Sequence, residues 1–483
     1  MPSADFEVVI LGAGMSGLCM AVQLQRAGIH DFLVVEKSAG IGGTWWDNRY
    51  PGAQVDVPAP AYSFSFAPNP HWTHRFADAP EILRYQQDIA ARHGLQAHLR
   101  LGQAVTEAHF DAAAGLWRLG LADGQQISAR FFVCSLGPLS RPRWPDIPGL
   151  DSFQGRRLHS ARWPADADLA GRRIGVIGTG STAAQLVPAL APAAARLSVF
   201  QRTPNWVLPR LDRRYGALDR WLARRPWYAA LVRRAWVQVL ELGRRGFDEG
   251  TLARRGLQAA VVGHLRRQVK DPILRERLTP RYPVGCKRII YSNDYYPALS
   301  LPQSELVTSA IRAVTPRGVL TEDGREHELD ALVCATGFDT VRPLAGLRVS
   351  GLDGRTLDKA WSNSPSAYFG LTVPGFPNCF LMLGPNTGTG HTSTLLYIEP
   401  QVQHAIACMQ RVRQEGRRWI TVRADAFAAQ DAAVQQRLAG SIWTQCSSWY
   451  RNDDGRIFAI WPGFTREYVK AVSRPDPAAY ELA

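Results

Sequence analysis

Two glycine-rich turns, each placed directly after an apolar run, constrain this chain more than anything else in it. Glu7-Val8-Val9-Ile10-Leu11 reads as a strand buried on both faces. It runs into Gly12-Ala13-Gly14-Met15-Ser16-Gly17, after which Leu18, Ala21, Val22 and Leu24 fall at helical spacing. The arrangement returns downstream. Arg173-Ile174-Gly175-Val176-Ile177 predicts a second buried strand, and Gly178-Thr179-Gly180-Ser181-Thr182-Ala183 is the same turn with alanine at its last position. A strand, a G-x-G-x-x-[GA] turn and a helix in that order let the backbone approach a pyrophosphate and aim a helix N-terminus at it. The fold class expected is α/β, with two Rossmann-like dinucleotide-binding domains.

The residue that ends the next strand separates the two turns. Phe32-Leu33-Val34-Val35 leads to Glu36, twenty-four residues after Gly12. A carboxylate there can accept hydrogen bonds from a ribose diol. Leu197-Ser198-Val199-Phe200 leads through Gln201 to Arg202, at the same offset from Gly178. A guanidinium in that place suits a 2′-phosphate, which favours NADP over NAD. One site for a flavin dinucleotide and one for NADPH imply an enzyme that passes hydride from NADPH to a flavin.

A chain of 483 residues, 46% hydrophobic, is long enough for two or three domains with real cores. The seven cysteines are scattered, odd in number and contain no C-x-x-C pair, which argues against a disulfide scaffold, a zinc site or a disulfide reductase and suits a reducing cytoplasm. Residues 1–7 show no basic region followed by an apolar run, and no apolar stretch reaches membrane-spanning length. The net charge of +14 is concentrated: Arg210 to Lys270 holds fifteen Lys and Arg against five Asp and Glu. That segment is helical by pattern, with Trp221, Trp227, Leu231, Trp236 and Leu240 recurring at three- and four-residue steps. It reads either as an insertion packed on the body with its basic face in water, or as a face that makes weak peripheral contact with anionic lipid. Nothing else resembles a nucleic-acid module.

The remaining stretches are arranged around the two turns. Gly42 to Asp56 is a loop by its Gly, Pro and Asn content, yet it carries tryptophans suited to covering a flat ring, and residues 80–92 predict a helix. Two hairpin signals, Ala122-Asp123-Gly124 and Thr321-Glu322-Asp323-Gly324, each precede a strand ending V-C-x-x-G, an internal echo of two similar halves. Phe380 to Thr394 predicts a strand, a glycine-rich turn and a helix start that could face a flavin ring, with His391 structural rather than catalytic. Two helices follow, and residues 447–464 predict a strand and a cover over the site. Phe153 to Pro164, rich in turn formers, reads as a hinge between the halves.

That hinge is also where the chain becomes specific. It fits F-x-G-x-x-x-H-x-x-x-W-P through Phe153, Gly155, His159, Trp163 and Pro164, and Gly42–Asp56 fits G-G-x-W-x-x-x-x-Y-P-G-x-x-x-D. Both resemble the fingerprints of type I Baeyer–Villiger monooxygenases, and the resemblance covers essentially the whole chain, including Ala335-Thr336-Gly337. The flavin-containing monooxygenases that oxidise nitrogen or sulfur usually carry tyrosine near the fingerprint's end and lack the family's active-site aspartate and arginine, so Trp163, Asp56 and Arg288 weigh against that alternative. Ser292 to Pro297 and Trp449-Tyr450 look more like the hydroxyacetophenone-type members.

The resemblance implies that NADPH reduces FAD, that dioxygen then gives a peroxyflavin, and that this attacks a ketone (or a thioether) to yield an ester, lactone or sulfoxide. It implies Arg288 and Asp56 as the catalytic pair. It implies Gly12, Gly14, Gly17, Glu36, Gly43, Thr44, Trp45, Asp56, Tyr62 and Asn386 at FAD, and Gly178, Gly180, Ser181, Thr182, Arg202, Thr203, Lys287 and Trp449 at NADP. No metal is called for. The expected divisions are residues 1–150 and 331–483 for FAD, 151–170 as the fingerprint linker, and 171–330 for NADP with a helical insertion at about 210–280.

Overall fold

The computed structural model describes residues 4–340, 344 and 346–483; Met1, Pro2 and Ser3 of the N-terminal reading lie outside the described residues. Two twisted sheets carry the two glycine turns. In the first, β1 (Phe6–Leu11) pairs in parallel with β2 (Phe32–Glu36), and β2 with β3 (Leu99–Leu101). On the other side of β1, the antiparallel strands β4 (Val105–Asp111), β5 (Leu116–Leu121) and β6 (Gln126–Cys134) extend the sheet. Arg348–Ser350 joins β4 at the edge, and Cys379–Leu381 pairs with the last residues of β6. Val8, Ile10, Val34 and Val133 pack fully buried against Leu18 and Val22 of helix α1 (Met15–Arg26), while Val9, Leu11 and Val35 are buried in a second cluster on the opposite face, so the apolar runs are covered on both sides.

The second sheet is all parallel, in the order Ser304–Val307, β9 (Arg196–Phe200), β8 (Arg173–Ile177), Ala331–Cys334 and β7 (Arg156–His159). Two expected divisions shift. The fingerprint linker is not a free hinge: its residues 156–159 form the edge strand β7, paired with Ala331–Cys334. The strand Ala331–Cys334 belongs to the second sheet, and the chain leaves that sheet only after it. β7 is short and lies between the turn formers Gly155 and Pro164, while the partner that orders it lies far along the chain.

Three further helices shape the first half and the join. A four-residue helix, α2 (Thr44–Asp47), starts inside the 42–56 loop; α3 (Ala79–Arg92) is capped by the Asp78 side chain accepting from Glu81 N; and α4 (Ser181–Leu190) follows the second glycine turn. The basic segment forms α5 (Ala217–Ala223), α6 (Pro226–Gly243) and α7 (Leu252–Gln268), then Pro272–Arg277. No helix among the described residues is long and apolar enough to cross a membrane.

Two expectations fail. Residues 447–464 contain no strand; Arg451 and Ile457 meet in an isolated bridge, and the terminal strand is Tyr480–Leu482, paired with Ile420–Val422. The apolar run there is buried by contacts that reach it from elsewhere, not by a ladder of its own. The cysteines are not all free either: Cys286 and Cys446 form a disulfide across 160 residues of sequence, while Cys19, Cys134, Cys334, Cys379 and Cys408 are buried thiols. Spacing along the chain cannot reveal a pairing that only the fold brings together.

Candidate active site

At the first turn, Gly12 has φ +102°, and a Cβ there would lie 2.8 Å from the Ser135 carbonyl oxygen; one on Gly17 would lie 1.9 Å from the Gly12 oxygen. Gly43 closes over the turn, its hypothetical Cβ 2.9 Å from Gly14 Cα. The N-terminus of α1 has no side-chain cap. The result is a cradle of bare backbone, which fits a pyrophosphate. Glu36 is buried and already accepts from Ala13 N and Ser38 N, each at 2.8 Å, so it pins the turn as well as offering its remaining lone pairs to a ribose.

Trp45 Nε1 donates to the Tyr62 hydroxyl at 3.1 Å, and burial pushes the Tyr62 hydroxyl up to about 12. Thr44 opens α2 beside Gly43. Asn386, named for the flavin, spends its amide elsewhere: Nδ2 donates to Ile457 O and Ile460 O at 3.0 Å each, fastening the glycine-rich turn to the C-terminal segment. His391 donates from Nε2 to buried Glu241 of α6 at 3.2 Å.

The second turn repeats the geometry. Gly178 has φ +120°, and its Cβ would lie 2.5 Å from the Ala335 oxygen. Gly180 caps α4 without a side-chain acceptor and faces open space, followed by half-buried Ser181 and Thr182. Arg202 is exposed and makes no ion pair among the described residues. Thr203 adjoins it, its carbonyl accepting from Thr179 Oγ1 at 2.7 Å. Burial, and then the Arg202 charge, lower the Lys287 ammonium, so the two cations share one neighbourhood. Two cations with no acid between them fit a phosphate better than a ribose diol. Trp449 is largely exposed; its neighbour Tyr450 is the buried one.

Between the turns lies the strongest polar contact in the site. Arg288 donates from Nε to Asp56 Oδ2 at 2.6 Å and from Nη2 to Asp56 Oδ1 at 2.8 Å, while Nη1 donates to the Thr389 carbonyl at 2.8 Å. Both side chains are 27% exposed, so the pair is accessible instead of vanishing into the core. Burial acts to raise the Asp56 carboxyl, but the Arg288 charge and hydrogen bonds reverse this and hold it below the ordinary carboxylate range. Burial likewise opposes the Arg288 charge, and Asp56 more than restores it. Of five guanidinium N–H groups, two remain for a substrate.

Three aspects of the site escaped sequence reasoning. Tyr291 and Tyr450 face the ion pair, and the Tyr450 hydroxyl is buried with no hydrogen-bond partner among the described residues. The 42–56 loop does more than cover a ring: Tyr50 donates to Gln185 Oε1 on α4 at 2.8 Å, Gln185 Nε2 donates to Gln54 O at 3.0 Å, and a Cβ on Gly52 would lie 2.6 Å from Gln185 O. Arg162 of the fingerprint pairs with Asp47 at 3.0 Å, so both fingerprints are seams between the halves. Within the first of them, Phe153 and Trp163 are buried in the second half's cores, and a Cβ on Gly155 would strike the Asp330 oxygen at 2.6 Å. Buried His159 accepts from Ala161 N through Nδ1 at 3.1 Å, and Pro164 O accepts from Ala167 N. His159 therefore braces the strand end, with its Nε2 3.3 Å from the Arg143 carbonyl.

Two cradles of bare backbone, together with a guanidinium held in place by Asp56 and Thr389, suit a protein that binds two dinucleotides. Residues 10–79 match the NAD(P)-binding Rossmann-like domain family. A Baeyer–Villiger monooxygenase of Pseudomonas aeruginosa is 40% identical over 99% of this chain and 91% of its own. The enzyme OTEMO, solved with FAD and NADP, superposes with a TM-score of 0.89 at 29% identity over the whole of both chains. A steroid monooxygenase bound to NADP superposes with 0.88 at 30% over 99% of each. The chain belongs to the Baeyer–Villiger monooxygenase family, with FAD and NADPH as its cofactors.

Proposed function

We propose that this enzyme inserts one oxygen atom of O2 beside a ketone carbonyl to give an ester or lactone, with Arg288 and Asp56 as the residues that carry the step. The second oxygen atom leaves as water, and NADPH supplies the two electrons. Bound FAD, once reduced, supplies the activated oxygen. Everything else falls to the chain. Asp56 fixes the guanidinium plane through two parallel hydrogen bonds, Thr389 O fixes its third edge, and the free N–H groups face the negative charge that develops on the substrate oxygen. A preorganised donor of this kind lowers a barrier by about 3 kcal/mol. The single observation that supports these roles is the three-point hold on Arg288 at the seam of the two cradles.

The cradle residues around Gly12 and Gly43 are proposed to hold FAD. Ser181, Thr182, Arg202, Thr203 and Lys287 are proposed to hold NADP, the last cations taking the 2′-phosphate. Residues 1–150 and the stretch after the second sheet's last strand form the FAD half. Five of the seven cysteines are buried free thiols, which favours a cytoplasmic setting, and the Cys286–Cys446 disulfide is the one feature that runs against it. The test is product analysis of the holoenzyme with NADPH under air, offered a ketone and a thioether in parallel. Ester or lactone from the ketone is expected; sulfoxide with no ester overturns the reading.

A further inference from the structure

Helix α6 carries charge on the side that meets the body. Beside Leu240, which packs on the first core, Arg233 pairs with Glu399 at 3.2 Å and donates to Ser63 O, Trp236 lies under the Arg75 guanidinium, and Glu241 is buried against Thr465 N and His391. Its outward face is apolar, with Trp227 (66% exposed), Leu231 (58%), Val239 (54%) and Leu242 (59%) falling at one- or two-turn steps along a single stripe. The adjoining α5 adds Leu218 and Trp221, both more than half exposed. A soluble surface helix normally shows the reverse arrangement, and a contiguous exposed stripe of this kind marks a contact surface.

The charges around the stripe say what it contacts. From Arg220 to Phe247 the sequence holds seven arginines and a single acid, Glu241, which is buried. Arg224, Arg225, Arg234 and Arg245 are exposed and make no ion pair among the described residues. The Arg225 guanidinium lies over the Trp221 ring at 5.1 Å, a pairing that keeps cation and aromatic at one level. A second copy of this chain would oppose arginines to arginines across a two-fold axis, which disfavours self-association through this face. Exposed tryptophan and leucine flanked by unpaired arginines are complementary to an interface that is apolar below and anionic above.

We propose that the α5–α6 face docks the enzyme on the surface of an anionic lipid bilayer, with Trp227, Leu231, Val239 and Leu242 at the acyl boundary and Arg224, Arg225 and Arg234 at the headgroups. The contact is peripheral, since no described helix spans a bilayer. The proposal is independent of the reaction catalysed, and its readout is binding.

The test is co-sedimentation of the FAD-loaded protein with vesicles of phosphatidylcholine containing phosphatidylglycerol, beside vesicles of phosphatidylcholine alone, at low and high salt. Binding to the anionic vesicles, weakened by salt and about ten-fold lower on the neutral ones, is expected. The triple substitution W227S/L231S/V239S alters only exposed side chains, and is expected to cut binding about ten-fold or more while FAD content stays unchanged. Absence of binding by the unaltered enzyme overturns the proposal. So does equal binding with and without anionic lipid, an unaffected triple variant, or a dimer in solution that the triple substitution dissolves.

Discussion

The two glycine turns start alike and end differently. Gly12 and Gly178 both adopt positive φ, and both sit against a carbonyl at the end of a neighbouring strand, Ser135 in one half and Ala335 in the other. Beyond that point the first turn closes in. Met15, Ser16 and Gly17 are buried, Gly17 leaves no room for a Cβ, and Glu36 is committed to backbone N–H groups. The second opens out: Gly180 faces free space, Ala183 stands where the first turn needs glycine, and Arg202 is exposed beside Lys287. The same local rule thus builds one closed turn and one open turn, and the difference lies in what surrounds each of them.

Arg288 stands between the two, and its loss should have the largest effect. Arg288→Ala is expected to lower the rate of ester formation about a hundred- to a thousand-fold while NADPH still reduces the flavin. Rapid-mixing spectra and product mass check the two steps separately, and a normal ester yield removes Arg288 from the chemistry. Substituting one glycine in each turn probes the contrast. Gly12→Ala meets both a forbidden φ and a carbonyl, costing about 3 kcal/mol, and should strip FAD from the purified protein. Gly180→Ala, which meets open space, should retain FAD and change only the KM for NADPH. FAD loss from Gly180→Ala equal to that from Gly12→Ala would contradict an open second turn separate from the flavin half.

The first half should also be the acid-sensitive one. His404 lies in its core, Nδ1 donating to Val472 O and Nε2 accepting from the Tyr480 hydroxyl, each at 2.8 Å. Burial lowers its pKa from 6.5 to about 4. The unfolded chain therefore binds the proton more readily, so the stability contributed by neutral His404 is complete above pH 6.5 and falls away as the pH drops towards about 4. The loss amounts to about 3 kcal/mol. Thermal melts between pH 7 and 4 check it, and a His404→Gln variant should flatten the slope. The smallest effect is expected at the open site, where Arg202→Ala should raise the KM for NADPH roughly ten- to a hundred-fold and leave that for NADH nearly unchanged. Equal losses for both cofactors would contradict a phosphate contact.

What was legible in the sequence was what is local. Gly12, Gly178, Glu36 and Arg202 stand at spacings that a strand, a turn and a helix impose by themselves. The long fingerprints extended the reading to Asp56 and Arg288 through resemblance, because 232 residues separate them and no period connects them. What stayed hidden depends on partners supplied by the fold. Residues 156–159 become a strand only beside 331–334, Cys286 meets Cys446 only in three dimensions, and the Asn386 amide bridges two carbonyls of a segment some seventy residues further on. The helical period of α6 was plain, but which side of it faces water was not, since polar partners such as Glu399 lie elsewhere.

The anchoring of the 42–56 loop has one more consequence. Tyr50, Gly52 and Gln54 all bear on Gln185, and Gln185 lies one helical turn beyond Ser181 on the same side of α4. The loop that Gln185 secures ends in Asp56, the partner of Arg288. A nucleotide resting its phosphates on the first turn of α4 would therefore lie within four residues of the side chain that anchors this loop. The second glycine turn and the loop that carries Asp56 are thus joined through one short stretch of helix, residues 181–185.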